Sequence, residues 1–257
     1  MKIVKIKKLS GSKYQINLDS DVITTFDNVI LKYNLLYKKT LTNDEFKKIL
    51  IESNYYDIYN KALKYSTKKI RSEKEINTYL NKFDIKDSDK DKIIKKLKEL
   101  NLINDRAYTK AFINDKIHLS KFGIDKIKKL LVQEGITNNI IEEEISKVDN
   151  NEIKLNLENK IKRKIENNNK YSNYELKNKL LNYFINQGYN REDVLLYLEK
   201  YQKEENDILE KEFEKLYFKY KNKYDESVFK TKLKQKLYQK GFPSDKINLL
   251  IQKKTEE

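Results

Sequence analysis

The amino-acid sequence predicts a mainly α protein, an elongated tandem array of three-helix, helix-turn-helix-like repeats with a small N-terminal β-hairpin and helical cap. The first observation is a fixed period, because Gly135, Gly188 and Gly241 follow one another at intervals of 53 residues. The second is that an apolar stretch with helical spacing precedes each glycine. The third is composition: one proline and five glycines in 257 residues favour long helices with few tight turns.

The N-terminal segment has a different pattern from the repeats. Residues 2–9 and 13–18 alternate between apolar and polar side chains around the turn Ser10-Gly11-Ser12, which predicts a β-hairpin. Helical spacing begins at Asp27, and a second helix is expected from Thr42. Two strands alone are only marginally stable, so the hairpin is expected to pack on these helices and cap the first repeat.

Apolar residues recur at the same positions around each periodic glycine. They lie eight and four residues before it, directly after it and ten residues after it. Residues four apart share one face of a helix, so the first two positions predict a buried stripe. The residues are Ile127, Leu131, Ile136 and Ile145; Leu180, Phe184, Tyr189 and Leu198; Leu233, Leu237, Phe242 and Ile251; and, in an earlier copy with Asp84 in place of glycine, Ile76, Leu80, Ile85 and Ile94.

The backbone conformation of glycine explains why it recurs at this place. A helix commonly ends in a left-handed residue, which glycine adopts without steric cost. The next helix is then expected to begin at a capping residue, supplied by Thr137, Asn190 and Pro243-Ser244. Other helix starts are predicted by three capping boxes, Thr42-x-x-Glu45, Ser72-x-x-Glu75 and Ser172-x-x-Glu175.

The domain organisation follows from the three-helix unit. Each repeat has a further helix upstream of the stripe, predicted near residues 57–68, 105–118, 151–167 and 205–222. Several small cores, one for each unit, are expected instead of one large core. The predicted segments are 1–54 for the cap and 55–101, 102–149, 150–203 and 204–257 for the four repeats.

The charge balance bears on the class of partner. The chain has 55 basic and 40 acidic side chains, a net charge of +15, which would attract nucleic acid or an acidic protein surface. Only four basic residues are arginine, so base-specific recognition through bidentate arginine is not expected. No apolar run approaches the roughly 20 residues that span a bilayer, and the N-terminus is unlike a signal peptide. A cytoplasmic protein without membrane contact is therefore expected.

No catalytic or metal-binding constellation is found. The chain has no cysteine, and His118 is its single histidine. It therefore has few of the side chains that form a metal site or a histidine-based catalytic triad. No two glycines lie within six residues of each other, so a phosphate-binding glycine loop is excluded. The run Glu142-Glu143-Glu144 is interpreted as a solvated helix face, since consecutive helical residues point in different directions. We therefore expect no enzyme activity, no cofactor and no metal.

Three sequence elements resemble the RecX family of bacterial recombinase regulators. They are the helix start Arg71-Ser72-x-x-Glu75, the step Leu102-Ile103-Asn104-Asp105, and Gly123-x-x-x-Ile127 leading to Gly135-Ile136. They occur in the family's order and cover residues 60–145 most strongly. The family often has arginine where this chain has Lys69, Lys121 and Lys126. It often has glycine in place of Asp84 and phenylalanine in place of Tyr108.

The resemblance implies a non-enzymatic modulator of RecA that lies along the groove of the nucleoprotein filament. It would mainly inhibit filament extension, ATP hydrolysis, strand exchange and co-protease activity, in DNA repair and the SOS response. A rod of repeats can contact successive protomers, so weak contacts reinforce one another. A monomer is expected, with single- or double-stranded DNA left open as a further partner. The alternatives are a general nucleic-acid-binding helical repeat and a scaffold for another helical partner.

The expected binding surface consists of basic residues near the start of the second helix of each repeat. They are Lys68, Lys69, Arg71 and Lys74; Lys121, Lys126, Lys128 and Lys129; Lys177 and Lys179; and Lys230, Lys232 and Lys234. Their recurrence predicts a continuous stripe, and reversing the charges of Lys69, Arg71 and Lys74 is expected to weaken filament binding without loss of helix. Structural roles are expected for Ser72, Glu75, Asp105, Gly123, Gly135, Gly188 and Gly241.

Overall fold

The N-terminal segment forms a three-stranded antiparallel sheet in the order β1-β2-β3. The computed structural model describes residues 1–256, with side chains through residue 254. The strands are β1 (Ile3–Lys8), β2 (Lys13–Leu18) and β3 (Val22–Phe26). The predicted hairpin is present, with Gly11 in its turn at a φ of 62°. The prediction missed β3 because Thr25 is fully buried where the alternation requires an apolar residue, and its hydroxyl lies 2.6 Å from that of Ser53.

The cap and the first repeat share one helix. After the short α1 (Asp27–Lys32), α2 (Asn43–Ser66) runs without a break, so the expected boundary after residue 54 falls inside it. The predicted capping box at Thr42 opens α2, and no glycine or proline follows to end it. Ile49 packs in the core of the cap, whereas Ile58 packs in the core of the first repeat.

The remaining helices follow the predicted three-helix repeat. The first repeat is completed by α3 (Glu73–Leu80) and α4 (Asp87–Glu99); the second has α5 (Asp105–Asp115), a π-helical turn (Lys116–Ser120), α6 (Ile124–Gln133) and α7 (Asn138–Ile145); the third has α8 (Asn150–Glu166), α9 (Asn173–Asn186) and α10 (Arg191–Lys200); and the fourth has α11 (Asn206–Tyr220), α12 (Glu226–Gln239) and α13 (Ser244–Glu256). The expected last residue of the fourth repeat, 257, lies outside the described residues. The mainly α, three-helix-repeat fold is confirmed.

The apolar stripe is buried as predicted. Around each of the three glycines, the two preceding stripe residues and the residue directly after the glycine are at most 6% exposed. Separate small cores are present in the cap, the first repeat and the fourth repeat. In the fourth, Leu233 and Leu237 of α12 pack with Phe242 and with Phe213 of α11. The cap, the first repeat and the fourth repeat therefore each bury their own apolar faces.

The chain separates into two compact units that do not coincide with the repeats. One comprises Met1–Ala111 with Val132–Ile141, and the other comprises Phe112–Leu131 with the chain from Glu142 onward. The second repeat contributes to both.

One junction recurs between consecutive repeats, each time within one compact unit. The helix that precedes a periodic glycine ends with carbonyl groups that lack a helical partner. The start of the second helix of the preceding repeat donates to one of them: Lys74 Nζ to Gln133 O at 2.5 Å, Gly123 N to Gln187 O at 2.9 Å, and Ser172 Oγ to Lys240 O at 2.5 Å. The glycines have the left-handed φ that was predicted, between 80° and 87°. The glycine period thus reflects docking between repeats as well as helix termination.

An acidic side chain supports two of these junctions. The Glu73 N–H at the start of α3 donates to Asp105 Oδ1 at 3.0 Å, and the Asn173 N–H at the start of α9 donates to Glu205 Oε2 at 2.7 Å. In both cases the acid opens the first helix of the following repeat. Because the N-terminal amides of a helix have no internal acceptor, each carboxylate satisfies an otherwise unpaired donor.

Replacing Glu205 with alanine is expected to lower the free energy of unfolding by about 2 kcal/mol, since the Asn173 N–H then loses a buried charged acceptor. Urea unfolding followed by circular dichroism measures the change. Asp207→Ala, at an exposed site in the same helix, is the matched control and should change stability little. Equal effects of the two substitutions would contradict the junction role of Glu205.

Candidate anion-binding surface

Many of the predicted basic residues are neutralised by nearby carboxylates. Six of the thirteen form ion pairs: Lys69 and Arg71 with Glu75 at 3.2 and 3.3 Å, Lys128 with Glu142 at 2.6 Å, Lys177 with Glu199 at 3.1 Å, Lys179 with Glu175 at 3.6 Å, and Lys230 with Glu226 at 2.8 Å. The five lysine pairs are exposed and contribute little to stability. Each carboxylate cancels one positive charge, so Glu75, which Lys69 and Arg71 share, leaves one of these two charges uncancelled.

Three other predicted residues contact groups without charge. Lys74 donates to the Gln133 carbonyl, Lys126 lies 3.2 Å from Gln187 Oε1, and the Lys232 ammonium lies 4.1 Å from the centroid of the Tyr224 ring. The last four predicted lysines have exposed side chains with no carboxylate at ion-pairing distance in the described chain; they are Lys68, Lys121, Lys129 and Lys234. The prediction therefore combined neutralised and unneutralised cations.

Arg71 does not lie on the exposed surface where we expected it. It is only 8% exposed, and its guanidinium carbon lies 3.4 Å from the centroid of the Tyr65 ring. Its Nε donates to the Tyr65 carbonyl at 3.1 Å, and its Nη1 donates to Glu75. Glu75 in turn closes the predicted capping box with Ser72. Because Arg71 holds the start of α3 in place, reversing its charge would disturb the fold, contrary to our expectation.

The acidic run of α7 also differs from its prediction. Glu142 and Glu143 are exposed, but Glu144 is only 6% exposed and lies 2.6 Å from Lys147 Nζ. The interpretation of the run as a solvated face is therefore wrong for Glu144. Residues on consecutive helical positions face different environments, so one of the three turns inward.

A cluster of four lysines, Lys121, Lys126, Lys160 and Lys164, gathers where the π-helical turn meets α8 and α9; we call it the four-lysine cluster. Lys160 Nζ donates to the Lys121 carbonyl at 2.6 Å, and the Tyr189 hydroxyl donates to the same carbonyl at 2.6 Å. The Lys126 ammonium lies 4.0 Å from the ring centroid of Phe122. The Lys164 ammonium, one helical turn beyond Lys160, lies 4.4 Å from that of Tyr183.

The local backbone explains why this cluster forms. The π-helical turn ends at Ser120, and the next residue, Lys121, is a non-glycine residue in the left-handed region with a φ of 51°. A helix end leaves carbonyl groups without partners, and Lys160 donates to two of them, on Ser120 and Lys121. The half-buried Lys160 side chain thus fixes the turn that carries Lys121 and leads to Gly123.

The cluster has no counter-charge among the described residues. None of its four lysines has a carboxylate within ion-pairing distance. Burial lowers the pKa of the Lys160 ammonium, and the charges of Lys121, Lys164 and Lys126 lower it further. The pKa of Tyr189 is raised to about 12, first by burial, so its hydroxyl remains a donor at neutral pH. Like charges held together without an acid make a local attraction for anions.

Sequence reasoning found two members of the cluster and missed the other two. Lys121 and Lys126 were predicted from their place near the start of the second helix of the repeat. Lys160 and Lys164 lie on α8, the first helix of the next repeat. The prediction considered only residues near the start of each second helix, so it did not include them. Their spacing of four residues was the available signal, because it places both on one helix face.

The fold and this surface define a class: a helical-repeat protein that exposes an unneutralised cationic cluster. Across the described residues, no helix combines the length and the apolar character needed to cross a membrane. The family described as RecX, third three-helix domain, matches residues 203–251. The regulatory protein RecX of Streptococcus gordonii is 31% identical to this chain over 98% of both sequences. The chain belongs to the RecX family of regulatory proteins.

Further relatives match over nearly the whole chain. The regulatory protein RecX of Lactococcus lactis subsp. cremoris is 29% identical over 96% of both sequences. That of Bacillus cereus is 28% identical over 99% of this chain and 97% of the relative. The crystal structure of a regulatory protein RecX shares the fold, with a TM-score of 0.62 and 21% identity over 77% of this chain and 98% of that chain.

Proposed function

We propose that this protein regulates RecA by binding along the groove of the RecA nucleoprotein filament. It would mainly inhibit filament extension, ATP hydrolysis, strand exchange and co-protease activity, in DNA repair and the SOS response. The observation that carries the proposal is the four-lysine cluster, on a chain that belongs to a family of regulatory proteins. Such a partner would place the protein in the cytoplasm, and the binding requires no catalytic step or cofactor.

The charge of the cluster suits a nucleoprotein filament. A filament presents DNA phosphates and protein carboxylates on one repeating surface, and cations without a counter-charge are attracted to both. Three further predicted lysines with exposed side chains and no carboxylate at ion-pairing distance, Lys68, Lys129 and Lys234, lie in three different repeats. Several weak contacts on one chain raise the apparent affinity through effective concentration. We therefore assign the four-lysine cluster as the main contact and these lysines as auxiliary contacts.

The experiment that tests the proposal is RecA-catalysed ATP hydrolysis on single-stranded DNA. Adding the purified protein below the stoichiometry of RecA is expected to reduce the rate of hydrolysis. No effect at equimolar protein would overturn the proposal.

A pair of charge-matched variants then tests the surface. Lys121→Gln with Lys164→Gln removes two exposed cations of the four-lysine cluster, and we expect it to weaken inhibition by about tenfold or more, since two charge-assisted contacts are lost. Lys177→Gln with Lys179→Gln removes the same charge from two lysines already paired with Glu199 and Glu175. Similar losses of inhibition for the two double variants would show that inhibition depends on the net charge of the protein and not on the four-lysine cluster.

The second candidate function is general nucleic-acid binding by a helical-repeat protein, which the same unneutralised cluster favours. This function would not need RecA. Binding to naked DNA with Z phosphate contacts would weaken with salt at a log-log slope of roughly 0.7 to 0.9 times Z. Equal affinity for naked DNA and for RecA-coated DNA would favour this candidate over the first.

A further inference from the structure

An exposed aromatic ring lies beside the four-lysine cluster. Tyr183 of α9 is 41% exposed, and the Lys164 ammonium lies 4.4 Å from its ring centroid. Phe184, which is fully buried, meets the Tyr183 ring edge to face at 5.0 Å and 82°. Phe184 also meets the ring of the buried Tyr189 at 5.8 Å and 73°. Phe184 thus holds the exposed ring of Tyr183 against the core. Phe184 also links that ring to Tyr189, whose hydroxyl donates to the Lys121 carbonyl of the cluster.

We propose that Tyr183 and the four-lysine cluster together form a binding site for single-stranded nucleic acid. The phosphates of the strand contact the lysines, and one base stacks on the ring of Tyr183. The inference rests on the proposed function, because it assigns the ligand of the same cluster. It goes further in naming a strand with an accessible base, and not only a polyanion.

The combination of ring and cations favours a single strand over a duplex. Bases in a duplex are stacked on one another and offer no free face, whereas those of a single strand can stack on an aromatic side chain. Lys160 and Lys164 lie one helical turn, roughly 6 Å, apart along α8, so they can follow successive phosphates of an extended strand. All four cations of the cluster are lysines, which bind phosphate without bidentate base recognition. The site should therefore tolerate any sequence.

The same combination distinguishes a strand from an acidic peptide. A peptide carboxylate would use the lysines but would have no need of the ring. The cation–π contact between Lys164 and Tyr183 is weaker than base–aromatic stacking, so a base can displace the ammonium toward a phosphate. Because the edge-to-face contact with Phe184 already orders the ring, little side-chain entropy is lost on binding.

The test measures the affinity of the full-length protein for an oligothymidylate strand and for a duplex of equal length, by fluorescence anisotropy over a series of salt concentrations. Tyr183→Ala should weaken binding to the single strand roughly 5- to 150-fold, the range for loss of one stacked base. It should change duplex binding little, and Tyr183→Phe should retain affinity. Tyr238→Ala, at a site 64% exposed in the same compact unit, is the control.

The salt dependence separates stacking from charge. Tyr183→Ala should leave the log-log slope unchanged, while Lys121→Gln with Lys164→Gln should reduce it by about 1.4, or 0.7 for each lost phosphate contact. The inference is overturned if the wild-type protein does not bind the single strand, or if Tyr183→Ala binds it as the wild type does. An equal loss on both ligands would also overturn it. If the lysine variant still loses RecA inhibition in any of these cases, the proposed function stands without the stacking site.

Discussion

Gly188→Ala is expected to destabilise the second compact unit by about 3 kcal/mol or more. Gly188 has a φ of 84°, and a Cβ atom there would lie 2.2 Å from the backbone nitrogen of Lys126. The left-handed conformation costs an alanine about 1 kcal/mol or more, and the clash is with backbone that cannot rotate away. Urea unfolding monitored by circular dichroism measures the loss.

Gly11→Ala is the matched control for this substitution. Gly11 also has a positive φ, of 62°, but a Cβ atom there would meet nothing within 4 Å. Its replacement should therefore show only the conformational part of the effect, about 1 kcal/mol. Equal destabilisation by the two substitutions would contradict the conclusion that Gly188 is required by the close docking between repeats.

Gly123→Ala tests the other side of the same junction. A Cβ atom on Gly123 would lie 2.1 Å from the Gly188 carbonyl oxygen, although Gly123 does not have a positive φ. Both substitutions separate the same two backbone segments, so their effects should not add. Additive losses of stability would mean that each glycine acts at an independent place.

Arg71→Ala should have the second large effect, a loss of about 3 kcal/mol of stability with fraying of α3. The substitution removes the cation paired with Glu75, the donor to the Tyr65 carbonyl and the plane stacked on the Tyr65 ring. Arg71→Lys keeps the charge but not the planar stack, so it should recover only part of the stability. Thermal unfolding and helical circular dichroism measure both.

Lys69→Ala is the control for Arg71. Lys69 also pairs with Glu75, but its side chain is exposed, so its removal should change stability little. A variant at Arg71 that keeps full stability and loses only filament binding would restore Arg71 to the binding surface.

The fold was largely predictable because its determinants are local. Each of the periodic glycines, Gly135, Gly188 and Gly241, lies within about two helical turns of the apolar stripe residues that precede it, so each copy of the pattern is a local feature. The capping boxes at Thr42 and Ser72 were likewise found, since each is a contact between residues three positions apart. β3 could not be predicted in this way, because the burial of Thr25 depends on Ser53, which is 28 residues away.

The candidate site was only partly predictable for the same reason. Recurrence in the sequence selects lysines by their position in the repeat. Whether such a lysine can attract an anion depends on whether a carboxylate lies close enough to neutralise it. Lys177 is neutralised by Glu199, 22 residues further along. Lys121 is joined by Lys160, which is 39 residues away and belongs to the next repeat.

By itself, the sequence determined the repeat, the helix ends and the apolar faces, because backbone conformation and helical periodicity depend on near neighbours. Only the tertiary structure decided that Arg71 is buried and that Lys121, Lys126, Lys160 and Lys164 form one unneutralised cluster beside Tyr183. Electrostatic fields and burial are set by groups that approach through space from distant parts of the chain. Their positions follow from how the repeats dock.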